Sequence, residues 1–594
     1  MKYTQDFTKL TFLVPLLLLF GGILLVVSGE TAASPQGGYL TAVQLTDHAL
    51  TGEDAPVISM QLGTSRNAGH IIWQEQNLSN TNSDLYYRSV PNGTTQRISD
   101  IADSNGNVIT FPLMKISTVG VPHVVWEEDT GTAESRDLYY WNPNDGTQRL
   151  TDRTATEGDV LFNSKQMWLE PSGAVHIVWQ ELNSSQTENS YFYWNSISAT
   201  ILQMPGFEAG IVKNGVLHVV WEATQTGPVQ YWNTSSQTPV ALPNSTAGGD
   251  IAVQQKGIFA SDSGEITIFF GKNFVGDAPT DCLVKWTSTS QSSSTLVTGQ
   301  RCFSLNNVLQ DASGAFHAFG VDSTAAPFAF LPFYWSSSLT NAIYFDASTA
   351  GTGLAIPSAS LRVAENGKAH ILWQDDHNFY YWNPTDQQII NLSEPLGSGS
   401  FISPPQFSFL DAAGELNLIW TEAGHPNYWN SGEQVTSNLL TRLNMSNISY
   451  QFLSSYSSPT PVYLFQGTPN VGNAGLFYWD IASDNLVPVW EGIINPSIVQ
   501  YIETESGEVF IGWLENSTTL FHLYASSQGV SQMNTTSATE NSIIFNIAKD
   551  DFNNLYVTWT ETSDTAGKGT DYFAAWSTDF VEGTADVYLP LILR

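Results

Sequence analysis

The sequence predicts an all-β fold, a β-propeller of about eleven four-stranded blade units. Three observations predict it: a phrase that recurs along the chain, a turn signal before it, and an aromatic pair after it. The phrase "HVVWEE" at 123–128 stands fifty-three residues after "HIIWQE" (70–75) and fifty-three before "HIVWQE" (176–181). A site that performs chemistry is usually written once. A phrase repeated along a whole chain builds architecture.

The phrase aligns on its tryptophan, at Trp73, Trp126, Trp179, Trp221, Trp373, Trp420, Trp513 and Trp559. Three weaker copies put Phe270, Gly320 and a position near Leu464 in its place. Eleven units at roughly fifty-residue spacing have the period of propellers and solenoids.

Each unit reads as four strands. A short first strand ends in a turn such as "EPSG" (170–173), "DASG" (311–314) or "DAAG" (411–414). Glycine supplies the left-handed backbone of a tight turn, and Asp hydrogen-bonds its own turn. The second strand, "HIVW" or "HILW", is nearly continuously apolar, as a strand covered on both faces reads. A variable loop follows. The third strand carries an aromatic pair, as in Tyr140-Trp141, Tyr193-Trp194 and Tyr381-Trp382. The fourth is "TQRLTD" (147–152) or "TQRISD" (95–100). No stretch after residue 34 has sustained helical periodicity.

Residues 40–50, "LTAVQLTDHAL", resemble a fourth strand with no blade before it. An unpaired edge is a liability, so this strand is expected to close a ring. Eleven blades exceed the usual four to eight, which predicts two consecutive propellers. The first spans 34–305, with about five blades plus the closing strand. The second spans 306–580, with about six, and 581–594 form a tail. A break near 350 is the other option. The closing partner is 286–290 or 333–337 for two rings, and 571–577 for one continuous ring.

Residues 1–33 are of another kind. Lys2 and Lys9 precede an apolar run from Thr11 to Ser28. This is a secretory signal peptide or a retained N-terminal membrane anchor. Either places the rest of the chain outside the cytoplasm, secreted or at the cell surface. The 594 residues carry 56 acidic and 21 basic side chains, a net charge of −35. That argues against nucleic acid and anionic lipid as partners. In an exported chain the two cysteines, Cys282 and Cys302, read as a disulfide.

The pattern D-x-x-G-x-x-H-x-x-W-x-[ED], followed by [DE]-[LI]-Y-Y, resembles blades of the sialidase-like, BNR-repeat propellers exported by many bacteria. The likeness covers most of residues 40–580. The family's Asp-box, Ser-x-Asp-x-Gly-x-Thr-Trp, survives only as echoes at Asn142–Gly146 and Ser89–Gly93. Sialidases imply an Arg cluster, a Tyr nucleophile with a Glu partner, and an Asp acid. Here only ten arginines are scattered along the chain. The first blade offers Arg66, Arg88 and Arg97, none in a recognisable context.

Several repeated residues compete for functional roles. The acids two after the tryptophan (Glu75, Glu128, Glu181, Asp375, Glu422, Glu515, Glu561) suit a glycosidase pair. Spread over seven blades, they read instead as hydrogen bonds from strand ends to turns or neighbouring blades. The histidines three before it (His70, His123, His176, His218, His317, His370) could meet at an axial metal. Asn417 and Phe510 hold the same place elsewhere, which favours packing. Metal candidates are Asp375, Asp376 and His377, or a calcium turn at Asp103, Asn105 and Asn107. No other cofactor is implied, and no catalytic residue is assigned.

The functional reading is an extracellular or cell-surface, non-catalytic scaffold binding glycans or proteins through its variable loops. The alternatives are a sialidase-like glycoside hydrolase or lyase, and a structural cell-envelope protein.

Overall fold

The computed structural model describes residues 41–45, 57–66, 68–76, 83–99, 107–108, 112–129, 136–151, 161–182, 189–223, 228–243, 252–273, 280–299, 302–323, 330–345, 358–374, 378–393, 407–422, 425–452, 462–492, 494–515, 520–533, 545–562 and 570–577. They form eleven antiparallel sheets, ten of them blades of four consecutive strand positions and the eleventh three consecutive strands completed by Thr41–Gln44. In chain order the blades begin at residues 57, 107, 161, 209, 252, 302, 358, 407, 445, 494 and 545. The first strand of the second blade is in two pieces, Asn107–Val108 and Leu113–Ile116. Among the described residues one helix, Leu439–Arg442, connects the eighth blade to the ninth.

The third blade shows how the phrase becomes a sheet. Its strands are Leu161–Leu169, Val175–Leu182, Asn189–Asn195 and Ile201–Met204. Between the first two, Gly173 takes φ +86° and donates its N–H to the Glu170 carbonyl at 2.9 Å. A side chain there would be strained. Across the second and third strands His176 faces Asn195 and Trp179 faces Phe192.

The nearly continuous apolar reading has a physical cause, plain in the seventh blade. Ile371 and Trp373 join one core with Phe319 and Tyr334 of the sixth blade. Leu372, between them, joins another with Leu418 and Trp420 of the eighth. Successive side chains on a strand point to opposite faces, and here each face meets a neighbouring blade. All eight repeat tryptophans are buried, the most exposed being Trp221 at 8%.

The blades fall into two compact units. One comprises Met1–Thr132, Asp137–Thr154 and Ile493–Arg594. It holds the tenth, eleventh, first and second blades, so it contains both ends of the chain. Thr41–Gln44 lies on Thr570–Trp576 as the fourth strand of the eleventh blade, with Thr41 opposite Trp576 and Gln44 opposite Phe573. Ile71 and Trp73 of the first blade then pack with Tyr556, Ala574 and Trp576. The other unit, Ala133–Arg136 with Ala155–Gly492, holds the third to ninth blades.

Of the three closing partners expected, this pairing selects 571–577, the one foreseen for one continuous ring, and not 286–290 or 333–337. Neither proposed break is seen in the packing. One core joins Phe269 and Leu283 to Val308 and Phe333, across residue 305. Another joins Phe345 to Leu361, across residue 350. No helix among the described residues is long and apolar enough to cross a membrane. The 11–28 run lies outside them.

Candidate functional site

The repeated polar residues form one small network, copied from blade to blade. In the second strand His176 Nδ1 lies 2.8 Å from the hydroxyl of Tyr193 in the third. The same bond recurs at His70–Tyr87, His123–Tyr140, His218–Tyr231, His317–Tyr334 and His370–Tyr381, at 2.7–2.9 Å. His176 sits opposite Asn195, so Tyr193, two residues on, shares its face of the sheet. The tyrosine is held in turn: Asn142 and Asn383 donate to the hydroxyls of Tyr140 and Tyr381 at 2.9 and 3.1 Å. Asn142 Oδ1 also accepts the N–H groups of Asn144 and Asp145, closing the turn at the Asp-box echo.

The other histidine nitrogen is also occupied in three blades. His70 Nε2 lies 2.9 Å from the Ser65 hydroxyl. His370 Nε2 contacts the Gly414 carbonyl at 2.8 Å. A carbonyl only accepts, so Nε2 carries the proton and Nδ1 accepts from Tyr381. His317 Nε2 meets Asp311 at 3.1 Å. Burial pushes His70, His123 and His218 down to about 4, which keeps them neutral. Burial raises Asp311 as well, but hydrogen bonds from Ser313, His317 and Ala315 outweigh it and hold that carboxyl at about 2.

Replacements explain the tolerance at this position. Asn417 accepts the Tyr428 hydroxyl at 2.7 Å, doing the histidine's work. In the eleventh blade Tyr556 stands there and donates to Asp550 at 3.1 Å.

The acids two after the tryptophan are bound within their own blades. The indole N–H donates to the carboxylate at Trp73–Glu75 (2.6 Å), Trp126–Glu128 (2.7 Å), Trp179–Glu181 (2.8 Å) and Trp420–Glu422 (3.5 Å). Residues i and i+2 share a strand face. Each of these four acids thus has the tryptophan of its own strand as a partner. Glu515 contacts His522 at 3.5 Å. The side chain of Glu561 lies outside the described residues.

The arginines are structural too. Arg97 pairs with Asp84, and Arg149 with the fully buried Asp137. Each ties the fourth strand to the third. Arg88 is half-buried where other blades carry the second aromatic, and Arg66 is exposed in a turn. Asp375, Asp376, His377, Asp103 and Asn105 lie outside the described residues, and so does the side chain of Asn107. Among the described residues no three potential ligands cluster. Most of the variable loops after the W-x-E strands are also outside. Cys282 is buried, and the side chain of Cys302 is not among the described ones.

One groove lies between the outer strands of the third and fourth blades, within the seven-blade unit. Its volume is about 480 Å³. Asn189 and Tyr191 come from the third strand of the third blade, Gln203 and Met204 from its fourth. Trp232 and Gln237 come from the fourth blade. Tyr191 precedes the Tyr193-Trp194 pair and is half-buried, with its ring 6.2 Å from that of Phe207. Sequence reading missed this groove because the outer strands do not repeat. The available signal was a third aromatic two residues before the regular pair.

No family model and no curated protein matches the chain. Among solved structures it is similar to a eukaryotic initiation factor, at 10% identity over 67% of this chain and 94% of that one, with a TM-score of 0.34. It is also similar to the β-propeller domain of the Trilobed protease from Pyrococcus furiosus, at 8% identity over 65% and 95%, with a TM-score of 0.24. A third is an acylaminoacyl peptidase from Pyrococcus horikoshii, at 10% over 63% and 59%, with a TM-score of 0.24.

Proposed function

We propose that the chain is an exported, non-catalytic β-propeller scaffold that binds glycans or proteins. The observation that carries this reading is how the repeat's chemical groups are used. Histidines are bonded to tyrosines, glutamates to tryptophans, and arginines to aspartates, each within a blade. Groups committed to such bonds hold strands together. Recognition then falls to the residues that vary between blades. The Lys-flanked apolar run at 11–28 supports export. The acidic balance supports a partner other than nucleic acid.

The test is to present the mature chain with a glycan array and with cell-surface protein extracts, and to assay the same ligands for cleavage. Saturable binding without turnover is the expected result. Cleavage of a bound glycan or peptide would overturn the reading.

A further inference from the structure

We infer that the groove between the third and fourth blades is a binding site for a short neutral oligosaccharide. The inference rests on the scaffold reading and names the ligand class. Three properties of the groove carry it. Its volume, about 480 Å³, lies within the range of roughly 300–1,000 Å³ typical of small-molecule sites. Two side-chain carboxamides line it, from Asn189 and Gln237. Each offers donors and an acceptor together, the combination that adjacent sugar hydroxyls require. The half-exposed ring of Tyr191 supplies an apolar face for the C–H side of a sugar ring.

The charge of the site selects among sugars. No charged side chain lines the groove. An acidic sugar would lose its hydration there without gaining a cation, and the protein's net charge of −35 opposes its approach. A neutral glycan meets neither penalty.

Rigidity supports the assignment. Trp232 in the groove is buried, and Met204 belongs to the same core as Tyr193 and Trp221. Asn189 and Tyr191 lie on one face of a strand paired in register, Tyr191 opposite Met204. The groups that would touch sugar therefore stand on packed strands, which lowers the ordering cost of binding.

The test uses the full mature chain, with neutral and acidic oligosaccharides and extended peptides as probes. Asn189 is exposed, so Asn189→Trp fills the groove without disturbing the core. We expect binding to neutral oligosaccharides, a loss of at least tenfold in Asn189→Trp, and an unchanged melt. Tyr191→Ala should weaken binding similarly, and Gln237→Ala by a smaller factor. Neutral-glycan binding that survives Asn189→Trp and Tyr191→Ala would overturn the groove assignment while leaving the scaffold reading intact. Binding of acidic glycans alone would do the same. So would capture of peptides, but not sugars, in a manner blocked by Asn189→Trp. The scaffold reading itself falls only if a ligand is turned over.

Discussion

Thr41 lies opposite Trp576 in an antiparallel ladder, so a strand from the start of the chain completes a blade made by its end. The three strands Phe545–Lys549, Leu555–Thr562 and Thr570–Trp576 end in an open edge that only this segment covers. The first blade then packs on the completed one, with Gly69 close against the Tyr556 ring. Closure here links positions more than five hundred residues apart.

Deleting residues 41–44 should expose the 570–576 strand. We expect faster proteolysis near that strand and a lower melting temperature. Limited proteolysis read by mass spectrometry checks this. A cleavage pattern identical to the full chain's would refute the closing role.

The buried histidines make stability depend on pH. Burial pushes His70, His123 and His218 down to about 4 in the folded chain, from the usual 6.5. Above pH 6.5 both folded and unfolded forms are neutral and nothing changes. As pH falls toward 4 the unfolded chain takes up protons that the folded chain refuses, so stability is lost through that window. For the deeply buried His70 and His123 the loss is on the order of 3 kcal/mol each. His123→Asn, which mimics Asn417 of the eighth blade, should remove one share of the acid-side loss. Denaturant melts at pH 7.5, 6 and 4.5 measure it. An equal acid sensitivity in the variant would contradict the assignment.

Trp179 is 1% exposed and donates its indole N–H to Glu181. Trp179→Ala should destabilise by roughly 3–5 kcal/mol, since it empties a large packed site. Glu181→Gln keeps an acceptor oxygen for the indole and should cost much less. Chemical unfolding separates the two. Equal losses would mean that charge, not packing, dominates at this position.

The repeat was legible because it is enforced by geometry. A strand covered on both faces must be apolar at every position, so "HIVW" could be read directly, and the turns carried their own Gly and Asp signals. The number of rings was not legible. Blades five and six share one core, and nothing in the residues around 305 or 350 marks continuity or a break. The roles of Glu181 and His176 were half legible. Their recurrence argued for structure, but the partners Trp179 and Tyr193 follow only from strand register. The groove at Tyr191 was signalled only by the extra aromatic ahead of the regular pair.

Tyr463 offers a different test. It is 2% exposed, its ring packs against Phe407 and Phe465, and its hydroxyl has no hydrogen-bond partner among the described residues. A buried hydroxyl left unpaired costs about 1–3 kcal/mol. Tyr463→Phe keeps the ring and should leave the protein as stable or up to about 1 kcal/mol more stable. A loss larger than that would show that the hydroxyl is satisfied in solution.

The last expectation concerns the cysteines. Cys282 is 1% exposed, within the core shared by Phe269 of the fifth blade and Val308 and Phe333 of the sixth. Cys302 begins the first strand of the sixth blade. A bridge between them would tie the third strand of one blade to the first strand of the next, where their common core already brings those strands together. Closing a loop of that size restricts the unfolded chain by about 3 kcal/mol. Gly299 fits this crowding, because a Cβ there would come within 2.4 Å of the Cys282 sulfur. We therefore expect the chain produced in an oxidising compartment to yield a Cys282–Cys302 linked peptide under non-reducing conditions. Reduction should lower its melting temperature by a few degrees, and Cys282→Ser should show the lower value with or without reductant. Alkylation of both thiols in unfolded, unreduced protein would rule the bridge out.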